Sequence, residues 1–321
     1  MAGRRAAIGL FAGMFAVLAQ HAPAQQNEAS RRVAIVAPFR PGSTIDQLAR
    51  ALAAGMSQRL GQDLAVVNRP GNGGAAGTAE VAGAVADGQT LLFAPAFVLS
   101  VLPSARSEIG YAPQALAPVC QTFVNATAVV VRADSPFASL SDFVRGAREA
   151  AGPLRYGHPG PASVPHLAME ELLDAASVDA IAVSFSGDTG VLDGLRAGHV
   201  DVASVILGAA DVENGDLRVI AVFAEERHPA FPEVETVKEQ GFPILSTSFG
   251  GLFAPARTPP QVISRLAGAC EWAARSEPYA STAKRLAQPE NYYANVATFR
   301  HRLQRDIEVK RRLLGKLGAV Q

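Results

Sequence analysis

The chain has 321 residues, with 29 basic side chains against 29 acidic ones and 49% apolar residues. A neutral chain of this length has no basic footprint for nucleic acid, and it is long enough for about two domains with cores of their own. Its two cysteines, Cys120 and Cys270, lie too far apart in sequence for a metal knuckle, which leaves a pair or two buried thiols.

Arg4 and Arg5 precede an apolar run over residues 6–19 and the small-x-small triplet Ala22-Pro23-Ala24. These are the three parts of a cleavable signal peptide, expected over residues 1–24, and the apolar run is too short to span a bilayer comfortably. No cysteine follows the triplet to carry a lipid, so a soluble periplasmic chain, working as a monomer, is expected. That compartment is oxidising and favours pairing of Cys120 with Cys270.

From residue 33 onward one unit repeats: an apolar strand, a turn rich in Gly, Pro or Ser, then an amphipathic helix. Residues 33–37 read as a buried strand, and Ile45, Leu48, Leu52 and Met56 mark one face of a helix ending near Gly61. A strand at 64–67, a glycine-rich loop at 71–77, an Ala-rich segment at 78–86 and a strand at 90–94 follow. The extended, Val- and Thr-rich stretch 119–131 lacks helical spacing and suits a crossing into a second lobe. There the unit restarts: strand 154–157, helix 163–175, strand 180–185, a helix ending at Gly198, and strands at 200–207 and 217–224. A return strand at 249–254 and helices near 260–276 and 295–317 close the chain. The alternation predicts an α/β protein of two lobes with parallel sheets and a cleft between them. Residues 25–126 and 249–321 are assigned to lobe 1, and 127–248 to lobe 2. The basic run Lys310-Arg311-Arg312 reads as a solvated helix face.

Enzyme readings find little support. No Gly-x-Ser-x-Gly elbow is present. His166 and Glu170 stand four apart on a predicted helix, but a zinc site needs a third ligand, and none is evident. The stretch from Gly71 to Ala76 imitates a phosphate-binding loop, yet Asn68-Arg69-Pro70 separates it from its strand. No cofactor and no metal is expected. Three turns instead bring Ser, Thr or Asp to a helix start: Gly42-Ser43-Thr44, Gly160 to Ser163, and Gly187-Asp188-Thr189. Helix N-termini carry unpaired N–H groups and partial positive charge, so such turns from different lobes facing one cleft would hold a carboxylate.

At these residues the chain resembles the receptors of tripartite tricarboxylate transporters, the Bug family. The likeness runs from Pro38-Phe39-Arg40-Pro41-Gly42-Ser43-Thr44-Ile45-Asp46 through Val67-Asn68-Arg69-Pro70-Gly71 and Asp87-Gly88-Gln89-Thr90. It resumes at His166-Leu167-Ala168 and Gly194-Leu195-Arg196-Ala197-Gly198-His199-Val200-Asp201, and closes with Phe253-Ala254-Pro255-Ala256-Arg257-Thr258-Pro259. The resemblance implies a type II periplasmic binding protein that delivers a small carboxylate to membrane permease subunits. A sensor presenting its closed form to a membrane kinase is the alternative, and an enzyme on the same lobes a weaker one. It further implies a pocket built from Phe39, Pro41, Gly42, Ser43, Thr44 and Asp46 in one lobe. Gly160, Ser163, His166, Phe185, Ser186 and Gly187 would face them from the other, with Ala96 after the third strand also at the cleft. Ser43 stands where the family usually has a second glycine, and Val183-Ser184-Phe185-Ser186-Gly187 where it commonly has Val-Pro-Tyr-Lys-Gly. Losing a phenol and an ammonium implies a ligand less charged than citrate.

Overall fold

The computed structural model describes residues 32–318 except 107, 207–214, 229–230 and 287; the expected signal peptide lies outside the described residues. Lobe 1 is built on β1 (Val33–Ala37), β2 (Leu64–Asn68), β3 (Thr90–Pro95), β4 (Leu116–Asn125) and β10 (Ser248–Pro255), in the order β2-β1-β3-β10-β4. Lobe 2 holds β5 (Thr127–Arg132), β6 (Leu154–His158), β7 (Ala180–Ser184), β8 (Val202–Ile206) and β9 (Leu217–Phe223), in the order β7-β6-β8-β5-β9. The fold is therefore two-lobed α/β.

Neither sheet is wholly parallel, which corrects the expectation. β1 runs parallel to β2 and β3, and β6 parallel to β7 and β8. The strands beside the crossings run the other way: β10 is antiparallel to β3 and β4, and β5 to β8 and β9. A chain that leaves one sheet by its cleft edge and returns by the same edge must reverse direction at the return. Gly250 and Gly251 make room for that return strand. A Cβ on Gly250 would lie 2.3 Å from Ala94 O, and one on Gly251 2.1 Å from Cys120 O, at the point where the β10–β4 register shifts.

The helices are α1 (Thr44–Leu60), α2 (Ala75–Ala82), α3 (Phe97–Ser100), α4 (Leu102–Ala105), α5 (Leu140–Glu149), α6 (Val164–Ala176), α7 (Gly187–Arg196), α8 (Pro260–Ala274), α9 (Glu277–Arg285) and α10 (Val296–Lys316). Of these, α3, α4, α5 and α9 escape the sequence reading. Helix α5 should not have, because Ser139 caps it by accepting the Asp142 amide at 3.1 Å, a local signal. Gly61 and Gly198 end α1 and α7 with positive φ, the left-handed position that favours glycine. Beneath α1, buried Leu48, Leu52 and Met56 join Cys120 and Cys270 in one lobe 1 core, and these cysteines form a disulfide with Cα atoms 6.5 Å apart. The lobe 2 core gathers Phe143, Tyr156, Met169 and Leu172.

Helix α10 belongs to both lobes. Phe299 and Leu303 pack into lobe 1, whereas Leu313 and Leu314 share a cluster with Leu167 of α6 in lobe 2. The solvated face expected at 310–312 holds for Arg311 and Arg312, which are exposed, and is corrected at Lys310, which is 1% exposed.

Candidate ligand-binding site

Helix α1 begins directly beyond the C-terminal end of β1. Ser43 caps it from extended backbone (φ −64°, ψ 159°), its Oγ accepting the Asp46 amide at 3.3 Å. The Asp46 side chain turns back and accepts the Gly42 amide at 2.8 Å, so the turn is fastened at both ends in the manner of a capping box. Buried Asp46 also accepts from Asn68 Nδ2 at 2.8 Å and pairs with Arg50 at 2.9 Å. Burial pushes the Asp46 carboxyl up, but the bonds from Arg50, Gly42 and Asn68 outweigh it and hold the group below the ordinary carboxylate range. Asp46 is thus the strut of the turn. With the Ser43 amide given to Arg40 O at 3.2 Å, the Thr44 and Ile45 amides remain without a protein acceptor among the described residues.

Lobe 2 repeats the device with a different residue in the strut position. Ser163 caps α6 with φ −64° and ψ 158°, accepting the His166 amide at 3.3 Å, and its own amide goes to Gly160 O at 3.2 Å. His166 Nδ1 accepts the Ala162 amide at 3.1 Å, as Asp46 accepts that of Gly42. Ala162 adopts the left-handed φ of 57° that Gly42 takes at 81°. Pro165 has no N–H, so Val164 supplies the free amide of this terminus. The equivalence of the two turns is invisible in the sequence, since Asp and His share no motif. What they share is an acceptor three residues after the cap.

The histidine strut is itself held. His158 and His166 stack with ring centroids 4.1 Å apart. His158 Nδ1 lies 2.9 Å from Gly160 O, which steadies the other end of the turn. Glu170 accepts the Tyr156 hydroxyl and stands 3.8 Å from His166 Nε2. Burial pushes the His158 imidazole below its usual range, and burial together with the neighbouring His158 takes His166 down to about 4. The groups facing this pair are Tyr156, Glu170 and the turn backbone. Among the described residues no group of three or more His, Cys, Asp or Glu side chains is arranged to hold a metal ion.

The third turn departs from expectation. Ser186 makes no side-chain cap; Asp188 instead accepts the Ile206 amide at 3.1 Å, and the Gly187 amide reaches Pro159 O at 3.4 Å. Ser186 therefore keeps its hydroxyl exposed. The Phe185 ring lies on α7, where a Cβ on Gly194 would sit 2.4 Å from it. Ala96, expected at the cleft, is buried and gives its amide to Phe249 O at 2.7 Å, so its neighbours carry that loop's surface. Those neighbours join the lobes. Phe97 shares an apolar cluster with Ala162 of the α6 turn, and Gly74 separates Val98 from the ring of Phe39, which leads, with Pro41 exposed beside it, into the α1 turn. Phe39 of the α1 turn and Ala162 of the α6 turn thus both lie next to the segment Phe97-Val98, which brings one residue of each turn to the same stretch of lobe 1.

The family model of the tripartite tricarboxylate transporter family receptor matches residues 48–318. The chain belongs to this receptor family. It is 30% identical over 317 residues to the UPF0065 protein in gbd 5'region of Cupriavidus necator, covering 98% of this chain and 96% of that one. A TctC solute binding protein from Polaromonas, solved with no ligand, superposes with a TM-score of 0.83 at 27% identity, over 90% of this chain and 99% of that one. MatC from Rhodopseudomonas palustris with bound malate is similar at 26% identity and a TM-score of 0.65, over 88% and 99%. As a family receptor the chain has its candidate site where open α/β sheets bind ligands, at the carboxyl ends of strands.

The stacked histidines make the stability of this receptor pH-dependent. His166 binds its proton near pH 4 when folded and near 6.5 when unfolded, so the unfolded chain protonates first as the pH falls. The stabilisation is complete above about pH 6.5 and is lost progressively down to about pH 4. Between pH 7 and pH 5 the urea-derived unfolding free energy should drop by about 2 kcal/mol from this group. The drop should shrink in His166→Asn; an equal drop in that variant would assign it to other groups.

Proposed function

We propose that the protein is a periplasmic receptor whose lobes close on a small mono- or dicarboxylate and which delivers it to membrane permease subunits. The lobe boundaries fall between residues 126 and 127 and between 248 and 249 in this reading, with the cleft turns of both lobes as the binding surface. The observation that carries it is the pair of equivalent helix starts, one per lobe, each with a Ser cap and free first-turn amides. Ser43 and Ser163 accept one bond inside their turns and keep a hydroxyl proton to donate. A carboxylate accepts several such bonds, and a helix N-terminus favours it by about 0.3–1 kcal/mol when exposed and up to ~2 when partly buried. The malate bound by the MatC relative is of this chemical class. Phe39 and Phe185 supply apolar walls, and exposed Ser186 adds a hydroxyl.

A thermal-shift panel of mono-, di- and tricarboxylates tests the reading. A bound acid at about 100 times its Kd stabilises by about 2.7 kcal/mol, a clear rise in Tm. The expected order places malate and succinate above citrate. A panel in which no carboxylate raises the Tm would overturn it.

A further inference from the structure

Along α10, a cavity of ≈ 330 Å³ opens between the lobes, lined by Glu171 of α6 in lobe 2, by Phe249 of β10 in lobe 1 and by residues 298–310 of α10. Its apolar side is Leu245, Phe249 and Val309, and its charged side includes Arg302, Lys310 and Glu171. It shares no residue with the turns at 39–46, 158–166 or 185–188.

Lys310 is the unusual member. Its ammonium is buried, yet among the described residues it donates only to Ser246 Oγ, and the nearest carboxylate there, Glu171 Oε2, is 4.0 Å away, beyond hydrogen-bond length. Two of its three protons therefore have no acceptor, a costly arrangement for a charge removed from water. Glu171 is the complementary case: a half-buried carboxylate with no donor within bonding distance among the described residues, its carboxyl raised by burial. Close by, Arg302 lies over the Phe249 ring at 4.3 Å and donates to Thr247 Oγ1 and, at 3.1 Å, to Tyr292 Oη. Ser246 and Thr247 are neighbours in the chain, so Lys310 and Arg302 are anchored side by side on the second crossing. Arg305, Asp306 and Glu225 bring one more positive and two more negative charges, Glu225 being paired with Lys238 at 3.1 Å.

A cavity with an unsatisfied ammonium, an unsatisfied carboxylate and an apolar wall complements a molecule carrying the same three features in reverse. We infer that this cavity is a second ligand site, for a free amino acid with an apolar side chain. Its carboxylate meets Lys310 beside Arg302, its ammonium meets Glu171, and its side chain lies along Leu245, Phe249 and Val309. The walls come from both lobes and the crossing, so occupancy is tied to the hinge angle.

The test is calorimetry of the full chain with L-leucine, 4-methylpentanoate and isoamylamine, with hydrogen exchange to locate the site. Leucine should bind, and each compound lacking one charged group should bind at least tenfold more weakly at this site. Protection should fall on 243–249 and 301–310. Lys310→Met and Glu171→Gln should each weaken leucine at least tenfold, and the second keeps the test open if the first fails to fold. Ser43→Glu, which removes carboxylate binding at the cleft, should leave the leucine-dependent protection of 243–249 and 301–310 in place, so failure here is distinguishable from failure of the carboxylate reading. No leucine binding to the wild type, undiminished binding in Glu171→Gln, or protection confined to 39–46 and 158–166 would overturn the inference.

Discussion

Ser43→Glu should lose binding of malate by about a thousandfold while the protein stays folded. Ser43 is the cap of α1, and its hydroxyl lies beside the free amides of Thr44 and Ile45. Removing the cap costs about 1 kcal/mol of stability. A carboxylate at a helix N-terminus recovers part of that through the dipole, since negative charge is favoured there. For the same reason it occupies the position proposed for the ligand's own carboxylate. Two like charges about 4 Å apart at an effective dielectric near 20 repel by about 4 kcal/mol, which is the basis of the thousandfold figure. Ser43→Ala separates the effects: it loses the cap and one hydroxyl without adding charge, and should weaken malate by about tenfold or less. Titration calorimetry on the three proteins measures both. Equal affinity in wild type and Ser43→Glu would place the ligand elsewhere.

The second large effect is on stability. Cys120 lies on β4 and Cys270 on α8, 150 residues apart, and both are fully buried. The bond ties the crossing strand to the segment that returns after lobe 2. Chain entropy for so long a loop gives about 5 kcal/mol, an upper figure because native packing adjusts when it is removed. The Cys120→Ala/Cys270→Ala protein should therefore melt roughly 10 °C lower than the oxidised wild type. Reductant alone should act slowly on the native state, because neither sulfur is open to solvent. Matching urea midpoints for the two proteins would remove the disulfide from the account.

The legible parts of this chain are those decided within a few residues. Caps at Ser43 and Ser163 are bonds between a side chain and an amide three positions on, so the local sequence reveals them. Gly198 is similar, because a helix end in left-handed backbone needs no distant partner. What escaped was set by contacts across the chain. Lys310 looks like part of a surface charge run until Ser246, 64 positions away, is seen to bury it. His166 reads as a possible ligand paired with Glu170, whereas its work on the Ala162 amide depends on a backbone turn that no spacing rule describes. Ser186 shows the reverse failure: the right residue type stands before a helix, but Asp188 and Pro159 order the turn instead. The direction of β5 and β10 was missed because an apolar run specifies burial and leaves strand polarity to topology.

A crystal structure of the receptor grown with malate would show directly whether the two helix starts hold the ligand. One carboxylate is expected within about 3.2 Å of the Thr44 or Ile45 amide and of Ser43 Oγ, in the usual range for N–H···O and O–H···O bonds. A second polar group of the ligand is expected at the Val164 amide and Ser163 Oγ, with Asp46 still bonded to Gly42. Malate bound in the cleft with neither helix start within bonding distance, or held by arginine side chains alone, would contradict this placement.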